Sequence, residues 1–125
     1  MKKIIQTSKA PAPIGPYNQA VLANNMLFVS GQVAINPANG NFILTDIKSE
    51  TKQVMENIKA ILEEAGLNMN SVVKASIFLS DMNNFSEVNE IYGSYFTSDF
   101  PARETVQVAR LPKDVNVEIS VIAVK

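Results

Sequence analysis

The chain has 125 residues, 46% of them hydrophobic and 18% charged, with 11 Lys and Arg against 12 Asp and Glu. That is one domain with enough apolar side chain to bury roughly two thirds of its unfolded surface, which excludes a disordered chain and a scaffold that needs staples. A net charge of −1 supplies no general attraction to phosphates, and the lack of Cys and His removes disulfides, thiolate nucleophiles, the usual transition-metal ligand sets and any Ser-His-Asp triad.

Met1-Lys2-Lys3-Ile4-Ile5 runs into polar Gln6-Thr7-Ser8 before a signal-peptide core develops. No apolar stretch approaches the roughly 18 residues of a spanning helix, so a cytoplasmic protein is expected. Lys3 to Gln6 predicts a short edge strand, and the three prolines and one glycine of Thr7 to Pro16 predict an ordered loop. Gln19 to Ala23 and Met26 to Val33 read as strands about Asn24-Asn25, a pair that tolerates the positive φ of a tight hairpin. Asn36 to Asn41 is a turn cluster before Phe42-Ile43-Leu44.

From Asp46 the period changes from two to 3.6. Ile47, Thr51, Val54, Ile58, Ile61, Leu62 and Ala65 recur at helical spacing, and Gly66 stands where a C-cap glycine belongs. Val72 to Ser80 alternates again, with Val73, Ala75, Ile77 and Leu79 on one face and Lys74, Ser76, Phe78 and Ser80 on the other. Asn84 to Phe96 predicts a second helix with Phe85, Val88, Ile91, Tyr92, Tyr95 and Phe96 on one side, its Phe residues read as core, and with Asn84 and Glu87 spaced like a capping pair.

Arg103 to Ala109 and Val115 to Lys125 complete the order βββαβαββ. Two helices cover one face of such a sheet, which makes the fold α+β. The other face is expected to carry Phe78, Ile122 and Val124 among Lys74, Ser76, Gln107, Thr105, Asn116 and Ser120. So mixed a surface suits either a subunit interface or an ordinary solvent-facing sheet.

Without Cys or His, chemistry has to rest on Asp, Glu, Lys, Arg, Tyr, Ser, Thr and the backbone. Arg103 opens a strand after Phe100-Pro101-Ala102, and Glu118 lies in the middle of the last strand. A half-buried charge is paired, hydrated or used. The two residues therefore read either as a plain salt bridge at an interface or as a cationic clamp beside a proton carrier. Ser30-Gly31 brings a backbone N–H to a ligand or makes a bulge, and Tyr17 lines a pocket or anchors its loop. The Ser-Lys neighbours Ser8-Lys9 and Lys48-Ser49 lie where no pocket is evident, and Lys74-Ala75-Ser76 lies in a strand.

Ala12-Pro13-Ile14-Gly15-Pro16-Tyr17, Val29-Ser30-Gly31-Gln32 and the segment from Phe100-Pro101-Ala102-Arg103 through Val108-Ala109-Arg110-Leu111-Pro112-Lys113-Asp114-Val115 to Glu118-Ile119 resemble the reactive intermediate deaminase family, RidA/YjgF. The resemblance spans essentially the whole chain. It implies a chorismate-mutase-like single domain over residues 1–125, a homotrimer with a barrel-like core of sheets and clefts between subunits, and no cofactor or metal. It also implies hydrolysis of 2-aminoacrylate and 2-aminocrotonate, as their imine tautomers, to 2-oxo acids and ammonia.

By the same resemblance Arg103 holds the substrate carboxylate and Glu118 handles water and proton, while Gly31 and the N–H of Thr105 complete a cradle. Tyr17, Ser30 and Asn89 line the cleft. Two residues depart from the family pattern: Thr105 stands where many members have cysteine, and Glu104 where they have a small residue. A trimer that binds 2-oxo acids without turnover is the main rival. A ribonuclease is a weaker one, since the charge balance argues against binding nucleic acid.

Overall fold

The computed structural model describes residues 1–125. It has strands β1 (Lys2–Ile5), β2 (Ala20–Ala23) and β3 (Met26–Gln32), helix α1 (Ile47–Glu64), strand β4 (Val72–Leu79), helix α2 (Phe85–Gly93) and strands β5 (Ala102–Gln107) and β6 (Val117–Val124). They form one six-stranded sheet in the order β1-β2-β3-β6-β4-β5, in which only β4 and β5 run parallel. Both helices pack on one face, giving the expected α+β arrangement.

Local chemistry explains the element ends. Asn24 and Asn25 take φ of 50° and 62°, the left-handed pair of a two-residue hairpin, and set Ala23 opposite Met26. Asp46 caps α1 by accepting from the Ser49 N–H at 2.8 Å. At the other end Gly66, with φ of 77°, lets its own N–H reach Glu63 O and the Leu67 N–H reach Leu62 O, so the final carbonyls are satisfied. Between the caps, Val54, Met55, Ile58, Ile61 and Leu62 are fully buried against Ala75, Ile77, Leu79, Ile119, Val121 and Ala123.

Several expectations need correction. Asn84 makes no side-chain cap on α2, and Asp81 accepts from the Asn83 N–H one turn earlier, so the helix is entered through a 3-10 turn. It ends at Gly93, short of Phe96. A bulge between Val72 and Lys74 buries Val72 and turns Val73 outward. Asn116 lies outside β6 and points its amide at Glu50.

The largest correction concerns β5. Its register sets Arg103 beside Ala75 and Thr105 beside Ile77, which puts both on the helix face. Glu104 and Val106, paired with Ser76 and Phe78, occupy the open face instead. There Glu104 accepts from Ser76 Oγ and pairs with Lys74 Nζ at 2.9 Å.

Two buried side chains tie loops and layers together. Gln19 accepts from the Thr7 N–H at 2.7 Å and donates to the carbonyls of Thr7, Ala10 and Pro11, which orders the proline-rich loop. Glu50, wholly buried in the first turn of α1, accepts from the backbone N–H groups of Asn116 and Val117 and from Asn116 Nδ2. Three donors replace its water.

Candidate active site

The sites expected from the sequence divide into two hollows on opposite faces of the sheet. On the helix face, Arg103 leaves β5 beneath α2 and lines an open cavity of about 460 Å³ with Asn89, Tyr92, Gly93, Phe100 and Pro101. Its Nη1 donates to Asn89 Oδ1 at 2.6 Å. Its Cζ lies 5.2 Å from the centre of the Tyr92 ring and 5.7 Å from that of Phe85. No carboxylate of the chain pairs with it.

On the open face, Glu118 pairs with Phe78 in the β4–β6 register and lines a smaller hollow of about 80 Å³ that includes Ile14, Tyr17, Gly31, Phe42 and Lys113. Burial pushes its carboxyl above the usual carboxylate range. Gly31 sits directly against it: a Cβ at Gly31 would fall 2.5 Å from Glu118 Oε2. The bulge between Val29 and Gln32 makes that approach. Hence Ser30-Gly31 is a bulge, and it sets the glycine directly against a carboxylate.

Tyr17 both lines this hollow and anchors its loop, accepting from the Ile14 N–H at 3.4 Å. Ser30 directs its side chain elsewhere, donating from Oγ to Asn18 O at 2.6 Å while its N–H meets Gln19 O at 2.9 Å. Thr105 Oγ1 is buried without a hydrogen-bond partner, as is the hydroxyl of Tyr92. Burial also raises the Tyr92 phenol, against the opposing pull of Arg103.

Arg103 and Glu118 stand on opposite faces of the sheet and form no salt bridge with each other within the chain, so a bridge between them would have to cross an interface. Ser-Lys chemistry finds no support either, because Lys48 pairs with Glu90 and Ser49 with Asp46, while Lys74 and Ser76 both engage Glu104. No three acidic side chains converge on a point that would hold a metal ion. Sequence reasoning missed Phe85 and Tyr92 as neighbours of the arginine, placing both only on the apolar side of the second helix. The available signal was their spacing with Asn89, four and then three residues apart along one helix face.

This architecture is shared with known proteins. The chain is 54% identical to a RutC family protein of Pyrococcus horikoshii, over 100% of this chain and 99% of that one. It is 50% identical to the 2-iminobutanoate/2-iminopropanoate deaminase of Bos taurus, over 100% and 91%. Among solved structures, the Rid family protein YyfA of Yersinia pestis superposes with a TM-score of 0.97 at 48% identity, covering both chains fully. Escherichia coli TdcF with bound serine superposes with a TM-score of 0.94 at 43% identity, over 98% of each chain. The family model described as Endoribonuclease L-PSP matches residues 7–125. With the fold, the motifs and this match in agreement, the chain belongs to that family, known also as YjgF/RidA.

Proposed function

We propose that the protein hydrolyses 2-iminobutanoate and 2-iminopropanoate, the imine forms of 2-aminocrotonate and 2-aminoacrylate, to 2-oxo acids and ammonia. The observation that carries this reading is a half-buried carboxyl with a raised pKa, Glu118, lying against the backbone of Gly31, in a chain whose Arg103 is left unpaired. Names borne by relatives of similar length support it, as does the serine bound to TdcF, a small molecule that shares the substrate's carboxylate.

An imine carbon beside a carboxylate is already electrophilic, so orientation and proton transfer are sufficient catalysis. Arg103 grips the carboxylate through its fork. Water adds its oxygen to the imine carbon and gives a proton to Glu118, which passes it to the nitrogen. The hydroxyl proton of the resulting carbinolamine then passes through Glu118 to the nitrogen as the C–N bond breaks, so that ammonia leaves and the remaining oxygen becomes the ketone. Gly31 and the N–H of Thr105 hold carboxylate or carbonyl oxygens, and Tyr17, Ser30 and Asn89 shape and support the cleft.

Because Arg103 and Glu118 leave opposite faces, one chain supplies two half-sites. A homotrimer joins the Arg103 half of one subunit to the Glu118 half of the next. The test is a threonine dehydratase reaction to which the protein is added. Faster release of 2-oxobutanoate than spontaneous hydrolysis is the expected result, and an unchanged rate overturns the reading. Binding of 2-oxobutanoate without acceleration would instead identify a 2-oxo-acid-binding trimer.

A further inference from the structure

We propose that Phe85, Asn89 and Tyr92 form a clamp that fixes the Arg103 guanidinium without neutralising it, and that this keeps the cation free for a carboxylate. The inference rests on the reading of Arg103 as the carboxylate anchor. It adds three positioning residues, and with them a reason for the neutral amide at position 89.

A long arginine loses rotamer freedom when it grips a ligand, and prior fixation removes that cost from binding. The usual device for holding a guanidinium is a carboxylate, which in a binding site competes with the substrate. This chain uses none. A neutral carbonyl, Asn89 Oδ1, takes one N–H at 2.6 Å, and two aromatic rings lie 5.2 and 5.7 Å from Cζ, within reach of cation–π attraction. Ring faces and an amide attract the cation but leave its net charge in place.

The clamp is itself held. Tyr92, 3% exposed, leans on Phe96 with ring centres 5.0 Å apart, and Phe96 meets Phe100 edge-on at 6.0 Å. Helix α2 is bound to α1 by the Lys48–Glu90 pair at 2.8 Å and by Tyr95 donating to Glu56 at 2.6 Å. The guanidinium donors not used by Asn89 remain available to the cavity lined by Tyr92, Phe100 and Pro101.

Replacing Asn89 by aspartate separates this role from a structural one. Aspartate keeps the shape and strengthens the hydrogen bond to Arg103, so a merely structural role predicts a variant as good as wild type. The clamp predicts the reverse: Asn89→Asp raises the Kd for 2-oxobutanoate and the KM for the imine by about 30-fold or more, against about threefold to tenfold for Asn89→Ala. In both, kcat moves by less than about threefold, since the lesion is in carboxylate binding. Tyr92→Leu raises Kd about tenfold, and Tyr92→Phe, which keeps the ring, recovers most of that loss.

Calorimetric binding of 2-oxobutanoate to the intact assembly is the primary readout, so the test stands even if the wild type shows no turnover. An Asn89→Asp variant that binds as well as Asn89→Ala or better overturns the clamp, as does a Tyr92→Phe variant no better than Tyr92→Leu. Failure of the wild-type protein to bind 2-oxobutanoate overturns the anchor and the clamp together. Turnover by the wild type with an unaffected Asn89→Asp variant overturns the clamp alone.

Discussion

Gly31 illustrates how a single missing side chain sets the chemistry of a site. A methyl there meets the far end of Glu118, not backbone, so Gly31→Ala is expected to fold normally while swinging the carboxylate aside. Steady-state kinetics should show kcat down by about tenfold or more, or roughly 1.4 kcal/mol, with a thermal midpoint close to wild type. The Thr105 hydroxyl is buried with no partner, so it contributes a desolvation cost and no bond. Thr105→Val should therefore leave stability unchanged or raise it by up to about 1 kcal/mol by denaturant melt, with kcat/KM within about tenfold of wild type. At Glu118 burial raises the folded-state pKa, so the folded chain keeps a proton that the unfolded chain loses earlier. That contribution is complete below the unfolded value, about 4.3, and is lost as pH rises through the folded value. Melting temperatures of wild type and Glu118→Gln should accordingly diverge in favour of the variant as pH rises from about 4 to 7. Arg103 and Glu118 stood out in the sequence by residue type and motif. Phe85 and Tyr92 did not, because an aromatic on an amphipathic helix looks the same whether it packs on aliphatic core or beneath a guanidinium.

Elements differ in how completely their sequences declare them. Helix α1 was readable from end to end, because its apolar period, the change of period at Asp46 and its Gly66 terminus all express the same local geometry. Strand β5 was readable as a strand but not as to face. Its alternation sets Arg103 and Thr105 against Glu104 and Val106, with polar residues on both sides, and only pairing with β4 decides which set meets the helices. The bulge at Val72 is likewise invisible to a two-residue period, whereas at Gly31 the glycine itself, and not the period, suggested one. Glu50 was passed over as one more charge on an amphipathic helix, yet it joins α1 to the start of β6 through three accepted hydrogen bonds. Glu50→Ala strands those donors in a dry interior and is expected to cost about 3 kcal/mol or more in urea denaturation. Glu50→Gln, which keeps one acceptor oxygen, should recover part of that loss. A cost below about 1 kcal/mol for the alanine variant would mean that the α1–β6 junction rehydrates.

At the scale of the molecule, the open sheet face bears on the proposal that the site is shared between subunits. Phe28, Val106 and Val124 are each more than two fifths exposed there, beside half-buried Phe78 and Ile122, and the same face carries Glu118. Arg103 lies on the other face beneath α2. No side-chain rotation carries a group through a hydrogen-bonded sheet, so the proposed site requires the two halves to meet between subunits. Light scattering should give about three times the chain mass of 13.7 kDa. Subunit mixing tests the sharing of the site directly. Arg103→Lys and Glu118→Gln, each expected to lose most activity alone, are co-refolded in equal amounts. A site shared between chains recovers both native groups when the arginine comes from the Glu118→Gln chain and the glutamate from the Arg103→Lys chain. Each condition is met half the time under random assembly, so the mixture should regain about one quarter of wild-type activity per site. Groups belonging to one chain regain nothing on mixing, and that result would return both halves of the site to a single subunit.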